Sequence, residues 1–240
     1  MMDPELAVKQ LTPLADYLSK EIGRKVVVVV PKNFIEYAEN LLQDKYDLLF
    51  DGPHFIGWRI QKHEHQAIAK IPGELKFVVV VPEDSTITNF KQLVGKRVCG
   101  LSSPNGMTLG FLDLFPNPAS LPVIVSVRSF EDGVECVRDK VGVAAIMRNT
   151  VWVKMTPEVK KGMKLLHVSD RSLPDQGFSV AKRMDTATVE RIRTALLNER
   201  AKLDAASAFK YLKINKLVRA TSAEFEPFGR LLRPIWGFHE

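Results

Sequence analysis

Dense apolar runs of β-branched residues alternate along the chain with stretches in which apolar positions recur every three or four residues. The densest run is "KVVVVVP" at 25–31. It is followed by "YDLLFDG" (46–52), "KFVVVVP" (76–82), "RVCGL" (97–101), "VIVSV" (123–127), "VGVAAIM" (141–147) and "FSVAK" (178–182). Runs of this kind read as strands covered on both faces. Between them the spacing predicts helices over 12–23, 34–45, 129–140 and 185–199. In the first, Thr12 reads as the cap, Pro13 as a first-turn residue and Gly23 as the stop. In the second, Phe34, Tyr37, Ala38, Leu41 and Leu42 share one face. Such alternation predicts an α/β protein with largely parallel sheets. Neither an internal repeat nor a low-complexity segment interrupts it.

In sheets of that class, ligands bind beyond the carboxyl ends of the strands. The segments found there are Pro31-Lys32-Asn33, Asp51-Gly52-Pro53-His54, Ser102 to Gly106, Arg148-Asn149-Thr150 and Pro174-Asp175-Gln176-Gly177. Most are polar loops running into a helix. Helix amino termini offer free N–H groups, and with an arginine they suit a small anion. Ser103, Asn105, Gly106 and Thr108 either donate to an oxyanion or simply cap the helix that starts near Met107. Asp51 either meets a cationic or hydroxylated part of a ligand or caps the helix after Pro53. Arg148 reads as the anion's counter-charge or as a solvated strand end, and Gln176 as a further contact. Phe34 and Phe130 are candidates for an apolar wall, which points to a ligand with an organic part. Tyr37 and Trp58 read first as core residues.

Charge and composition narrow the classes. The 240 residues carry a formal net charge of +6 with a pI near 9.3, yet the basic residues are scattered. A nucleic-acid groove would concentrate them in a stripe with interleaved aromatics, so no nucleic-acid partner is expected. No apolar stretch reaches the roughly 20 residues of a membrane-spanning helix. The first residues, Met1-Met2-Asp3-Pro4, do not read as a secretory signal. Cys99 and Cys136 form neither a metal motif nor a disulfide framework by spacing, and read as two small buried hydrophobes. His63-Glu64-His65, with His54 nearby, lacks a third ligand at a metal-binding spacing. No nucleophile elbow, Walker loop, dinucleotide fingerprint or His-Glu-x-x-His motif is present, so neither enzymatic activity nor a cofactor is expected.

The segment "FVVVVPEDSTITNFKQLVGKRVCGLSSPNGMTLGFL" (77–112) resembles the middle of periplasmic solute-binding proteins of the phosphate/phosphite/phosphonate ABC transporter type. It carries Asp84-Ser85-x-Ile87, then Leu93-x-Gly95-Lys96-x-Val98, then Thr108, Gly110 and Phe111 before and within a helix. Upstream, "LTPLADYLSKEIGRKV" and "YDLLFDGP" resemble that family's first helix and a strand ending in a ligand loop. The resemblance spans about residues 4 to 200. It implies a type II periplasmic-binding-protein fold: two lobes, each a mostly parallel sheet flanked by helices, joined by two hinge strands. Residues 1–80 plus 180–240 would form one lobe and 83–176 the other, with Lys76–Pro82 and Phe178–Lys182 as the crossings. A small anionic ligand would sit in the cleft between them.

Set against the family's phosphonate site, Phe34 stands where a tyrosine is expected, Met107 replaces a hydroxyl, and Phe130 stands near a histidine. Arg148 or Asn149, and Gln176, occupy the carboxylate positions, while Thr108 is kept. A site so changed should not recognise the ammonium group of an aminoalkylphosphonate. The function implied is the solute-binding component of an ABC-type uptake system, periplasmic or otherwise extracytoplasmic, partnered by a permease or a membrane receptor. The alternatives are a ligand-sensing domain of a signalling protein and, less favoured, a cofactor-precursor synthase on the same fold. The family also opens with a strand that this sequence lacks. If the natural chain is longer, the first sheet should show an empty or substituted position between the 25–31 and 46–52 runs.

Overall fold

The computed structural model describes residues 3–235 and 237–238. Helix α1 (Pro4–Ile22) starts the chain, followed by α2 (Phe34–Leu42), β1 (Leu48–Asp51), α3 (Pro53–His63) and β2 (Gln66–Lys70). Next come β3 (Glu74–Leu75), β4 (Phe77–Pro82), β5 (Arg97–Leu101), α4 (Gly106–Leu112), β6 (Val123–Val127) and α5 (Phe130–Arg138). They lead into β7 (Ala144–Arg148), α6 (Asn149–Lys154), α7 (Pro157–Lys160), β8 (Met163–Val168) and β9 (Leu173–Pro174). The return leg holds β10 (Gly177–Val180), α8 (Thr186–Leu197), α9 (Glu199–Asp204), α10 (Ala206–Tyr211), β11 (Val218–Arg219), α11 (Ser222–Phe225) and a 3-10 segment, Glu226–Leu232. Two compact units result: Met1–Gly73 with Pro174–Glu240, and Glu74–Leu173.

The crossings between units therefore fall at 73–74 and 173–174, not along Lys76–Pro82 and Phe178–Lys182. The reason is burial. Phe77 to Val81 are all buried within a five-stranded sheet of order β6-β5-β7-β4-β8, and β10 is buried along its whole length in the first unit's sheet. Strands enclosed on both faces belong to a sheet interior.

The first unit's sheet has the order β1-β10-β2-β11, and every described pairing in it is antiparallel. This corrects the expectation of a mostly parallel sheet in each lobe. Strand β1, helix α3 and β2 do form a parallel crossover, but β10 returns antiparallel between the two strands and separates them. In the second unit, parallel pairing is confined to β6, β5 and β7, while β4 runs antiparallel to β7 and β8.

A second correction concerns residues 25–31. This most apolar of all the runs forms no strand and belongs to no sheet. Val27 and Val29 are 62% and 59% exposed, and Val26, Val28 and Val30 are half-buried. β-Propensity makes a strand only where a neighbour takes up the backbone bonds.

A third correction moves the start of the first helix. Asp3, not Thr12, caps α1 by accepting from Glu5 N–H, and Pro4 fills its first turn. Pro13 lies inside the helix, and the Thr12 hydroxyl donates to Val8 O at 2.7 Å. The apolar face runs through it, with Ala7, Leu14, Leu18 and Ile22 buried, so packing carries the helix past the proline. Gly23 ends it as expected, with φ 68° and its N–H bonded to Ser19 O.

The first unit's core joins Leu14, Tyr17, Leu18 and Ile22 of α1 to Ile68, Phe178, Val189, Ile192, Leu196 and Phe209. On its other side, α3 crosses the 3-10 segment backbone against backbone. A Cβ on Gly57 would lie 2.3 Å from Phe225 O and 2.6 Å from Gly229 N, so only glycine fits there. The second unit's core gathers Val78, Val80, Val134, Val137, Ala145, Met147 and Trp152 around a disulfide between Cys99 and Cys136. Cys99 lies on β5 and Cys136 on the buried face of α5, with Cα atoms 6.3 Å apart. The two cysteines are thus a covalent link and not merely small hydrophobes. Gly142 allows the backbone past them, since a Cβ there would stand 2.5 Å from Cys99 Sγ.

Candidate ligand-binding site

In the first unit, Asp51 ends β1 and Gly52 caps α3 without a side-chain bond. The Asp51 carboxylate is already engaged. Its Oδ2 accepts from Arg59 Nη1 at 2.8 Å and from the Tyr37 hydroxyl, and its Oδ1 accepts from Gly52 N–H at 2.9 Å. Arg59, only 1% exposed, also donates from Nε and Nη2 to Ser179 Oγ at 3.3 and 3.1 Å. Each charge satisfies the other, which is what burial of a guanidinium demands. Burial, and then the Asp51 charge, hold the Tyr37 hydroxyl well above its ordinary pKa, so it acts as a donor. Spacing alone marked neither Arg59 nor Tyr37 for this role, since both sit on helices that read as ordinary core.

Phe34, the first residue of α2, is half-buried in an aromatic cluster with Tyr37, Phe55 and Phe238, at ring separations of 6.2 to 6.4 Å. Trp58 is buried and meets Phe238 edge-on at 4.9 Å. Gln176 is half-buried beyond β9. Its N–H bonds Asp175 Oδ1 and its carbonyl accepts from Ile71 N–H, which fixes the backbone on which its amide is carried. His65, also in this unit, is buried against Asp44 at 2.6 Å, and burial pushes it down to about 4.

In the second unit, the loop after β5 shows which of its groups are committed. Asn105 Oδ1 accepts from Met107 N–H at 3.0 Å and from Thr108 N–H at 3.5 Å, capping α4. The Thr108 hydroxyl donates to Leu101 O at 2.6 Å, and its side chain is buried with Gly106 and Met107. Ser103 is exposed. Phe130 starts α5 beneath the Ser129 cap and packs on the unit's core.

At the carboxyl end of β7, Arg148 is half-buried and paired in register with Phe77. Among the described residues no acid, carbonyl or ring takes its guanidinium. Asn149, next to it, is anchored by two bonds to Lys76: its N–H reaches Lys76 O at 2.9 Å, and its Oδ1 accepts from Lys76 N–H at 3.3 Å. With the oxygen held inward, the Asn149 NH₂ remains a donor at the same strand end as Arg148. The end of β7 thus offers, among the described residues, an uncommitted guanidinium beside a fixed amide donor on a strand held by a buried sheet. Of the ten sequence-level candidates, Phe34, Asp51 and Gln176 lie in the first unit. Ser103, Asn105, Gly106, Thr108, Phe130, Arg148 and Asn149 lie in the second.

Residues 1–225 match the family described as ABC transporter, phosphonate, periplasmic substrate-binding protein. The chain belongs to that family. No curated protein matches the sequence. Among solved structures, a Xanthomonas citri protein bound to ATP superposes with a TM-score of 0.76 at 14% identity, over 98% of this chain and 96% of that one. PhnD1 from Prochlorococcus marinus in complex with methylphosphonate gives a TM-score of 0.66 at 17% identity, over 98% and 94%. A binding-protein component of an ABC phosphonate transporter from Pseudomonas aeruginosa gives 0.61 at 14% identity, over 96% and 82%. At these identities the likeness is one of fold. This phosphonate-family protein is therefore a substrate-binding protein of the two-lobed type by family and fold, and its ligand has to be argued from its own residues.

Proposed function

We propose that this protein captures a small phosphonate- or phosphate-like oxyanion for an ABC permease, with Arg148 as the counter-charge and the Asn149 amide as a neighbouring donor. The observation that carries the reading is the contrast between two arginines. Arg59 is fully paired with Asp51 and Ser179, whereas Arg148 ends a buried strand with no partner among the described residues. A half-desolvated guanidinium at a strand end is a strong site for a bidentate oxyanion. Family membership supports the transport role, and the Cys99–Cys136 link suits an oxidising, extracytoplasmic compartment. No helix among the described residues is long and apolar enough to cross a membrane, so a permease partner would supply the passage.

The ligand class is narrowed further. The only carboxylate among the ten candidates is Asp51, and its oxygens are taken by Arg59, Tyr37 and Gly52. A ligand carrying an ammonium group would find no free carboxylate at these positions, so alkylphosphonates and phosphate are preferred over aminoalkylphosphonates. Calorimetric titration with methylphosphonate, phosphate, sulfate and an aminoalkylphosphonate tests this. Preference for the aminoalkylphosphonate, or no binding of any of the four, would overturn it.

A further inference from the structure

Three neighbouring strands of the second unit run to the same level, and the residues just past that level include two arginines. In the sheet order β6-β5-β7, β5 is parallel to both neighbours. Leu101 pairs with Val127, and Cys99 with Ala145, a register that sets Leu101 level with Met147. One residue further along each strand stand Arg128, Ser102 and Arg148. A single strand separates the two arginines, so their backbones lie about 10 Å apart, a span that two long side chains can close. The β5 end between them, Ser102 to Gly106, carries no acid. The Ser102 and Ser103 hydroxyls there are exposed and have no bond among the described residues. The Arg128 side chain is 96% exposed, and its one partner among the described residues is Asp132, reached from Nε at 3.4 Å. Both Nη groups are left open. Glu131 and Asp132 occupy the first turn of α5, where the helix dipole favours them, and of the two Asp132 alone pairs with Arg128.

We infer that this edge of the unit recognises a second anionic group on the ligand, with Arg128 as its counter-charge beside Arg148. The inference rests on the oxyanion reading of Arg148 and narrows it. The substrate class becomes phosphonates or phosphates that carry a carboxylate or a further phosphoryl group a few bonds from the first. One phosphonate group saturates one planar guanidinium fork, and the serine hydroxyls and the Asn149 amide serve its remaining oxygen. A ligand with that group alone leaves Arg128 to Asp132, an exposed pair that contributes little. A second anion on a short arm engages the two open Nη groups instead, as a bidentate contact. Asp132 loses little by the exchange, since the first turn of α5 favours its charge with or without Arg128. An amino group in the same place would meet two cations, in keeping with the preference against aminoalkylphosphonates.

The test titrates the full chain by calorimetry with methylphosphonate, phosphonoacetate and phosphonoacetamide. The last keeps the shape of phosphonoacetate without its second charge. Phosphonoacetate is expected to bind about fivefold or more tightly than the other two at low salt, and the gap should narrow as salt rises. Arg128→Gln should remove the gap, and Arg128→Lys should restore part of it. The position is exposed, so circular dichroism and the melting temperature of both variants should match the parent. Arg148→Gln should weaken all three ligands. Equal binding of the three by the parent would overturn the inference and leave the oxyanion reading standing. So would an Arg128→Gln protein that still prefers phosphonoacetate, or one that loses the same factor for every ligand. Binding of none of them by the parent would overturn the oxyanion reading and this inference with it.

Discussion

Opening the Cys99–Cys136 link without altering a side chain isolates its contribution. The bridge joins positions 37 residues apart, tying β5 to α5 in the second unit. Closing a loop of that length removes denatured-state entropy worth about 4 kcal/mol at room temperature in the chain-entropy account. For a unit of about a hundred residues, each kcal/mol moves the melting temperature by about 4–8 °C. Reduction should therefore lower the second unit's transition by about 15 °C or more. Because Cys99 is fully buried and Cys136 nearly so, reductant is applied under mild denaturant and then removed under anaerobic conditions. Scanning calorimetry compares oxidised and reduced protein, and thiol titration confirms the state: none reactive before reduction, two after. A fall of less than about 3 °C with both thiols free would refute the claim that the cross-link holds this unit together.

Three further outcomes follow from particular contacts. Gly57→Ala forces a methyl onto Phe225 O and Gly229 N. It should cost about 1–3 kcal/mol or more and expose the chain after 225 to limited proteolysis, whereas Gly23→Ala meets open space and acts only through its positive φ. His65 has its folded pKa lowered to about 4, chiefly by burial and against the pull of Asp44. The unfolded chain therefore binds the extra proton between about pH 6.5 and 4, and stability is complete above that window. It should fall by about 3 kcal/mol as the pH drops through it, a loss that His65→Gln should flatten in urea titrations run from pH 7 to 4. Asp51→Ala leaves Arg59 charged and buried without its carboxylate; a loss of about 3–5 kcal/mol in urea unfolding is expected.

Much of this was legible from residue pattern. Six of the seven apolar runs coincide or overlap with a strand, because each has a neighbour that accepts its backbone bonds. The seventh, 25–31, carries the strongest local signal and fails as a strand. Propensity belongs to a residue and pairing to a sheet. Parallel order was over-read for the same reason: alternation shows that helices connect strands, yet it cannot show β10 entering between β1 and β2. The cysteine link left no trace in spacing, since 37 residues and two elements separate its ends. At the candidate site, chain order marked the strand ends and Arg148, while the partners that consume Asp51 came from helix faces. Tyr37 and Arg59 lie 22 residues apart and meet at one carboxylate only once α2, β1 and α3 have folded together.

The central claim is that Arg148 holds the ligand's charge while Thr108 serves the loop. Its most direct test is one calorimetric comparison of Arg148→Gln, Thr108→Ala and the parent protein with methylphosphonate and phosphate, paired with thermal unfolding. Arg148→Gln should lose about ten- to a hundredfold in affinity, the value of one charge-assisted contact of about 1.5–3 kcal/mol, with its melting temperature unchanged. Thr108→Ala removes the hydroxyl bonded to Leu101 O, and should melt lower with its affinity intact. Arg148→Gln binding both anions as tightly as the parent, or Thr108→Ala losing affinity without losing stability, would contradict the account.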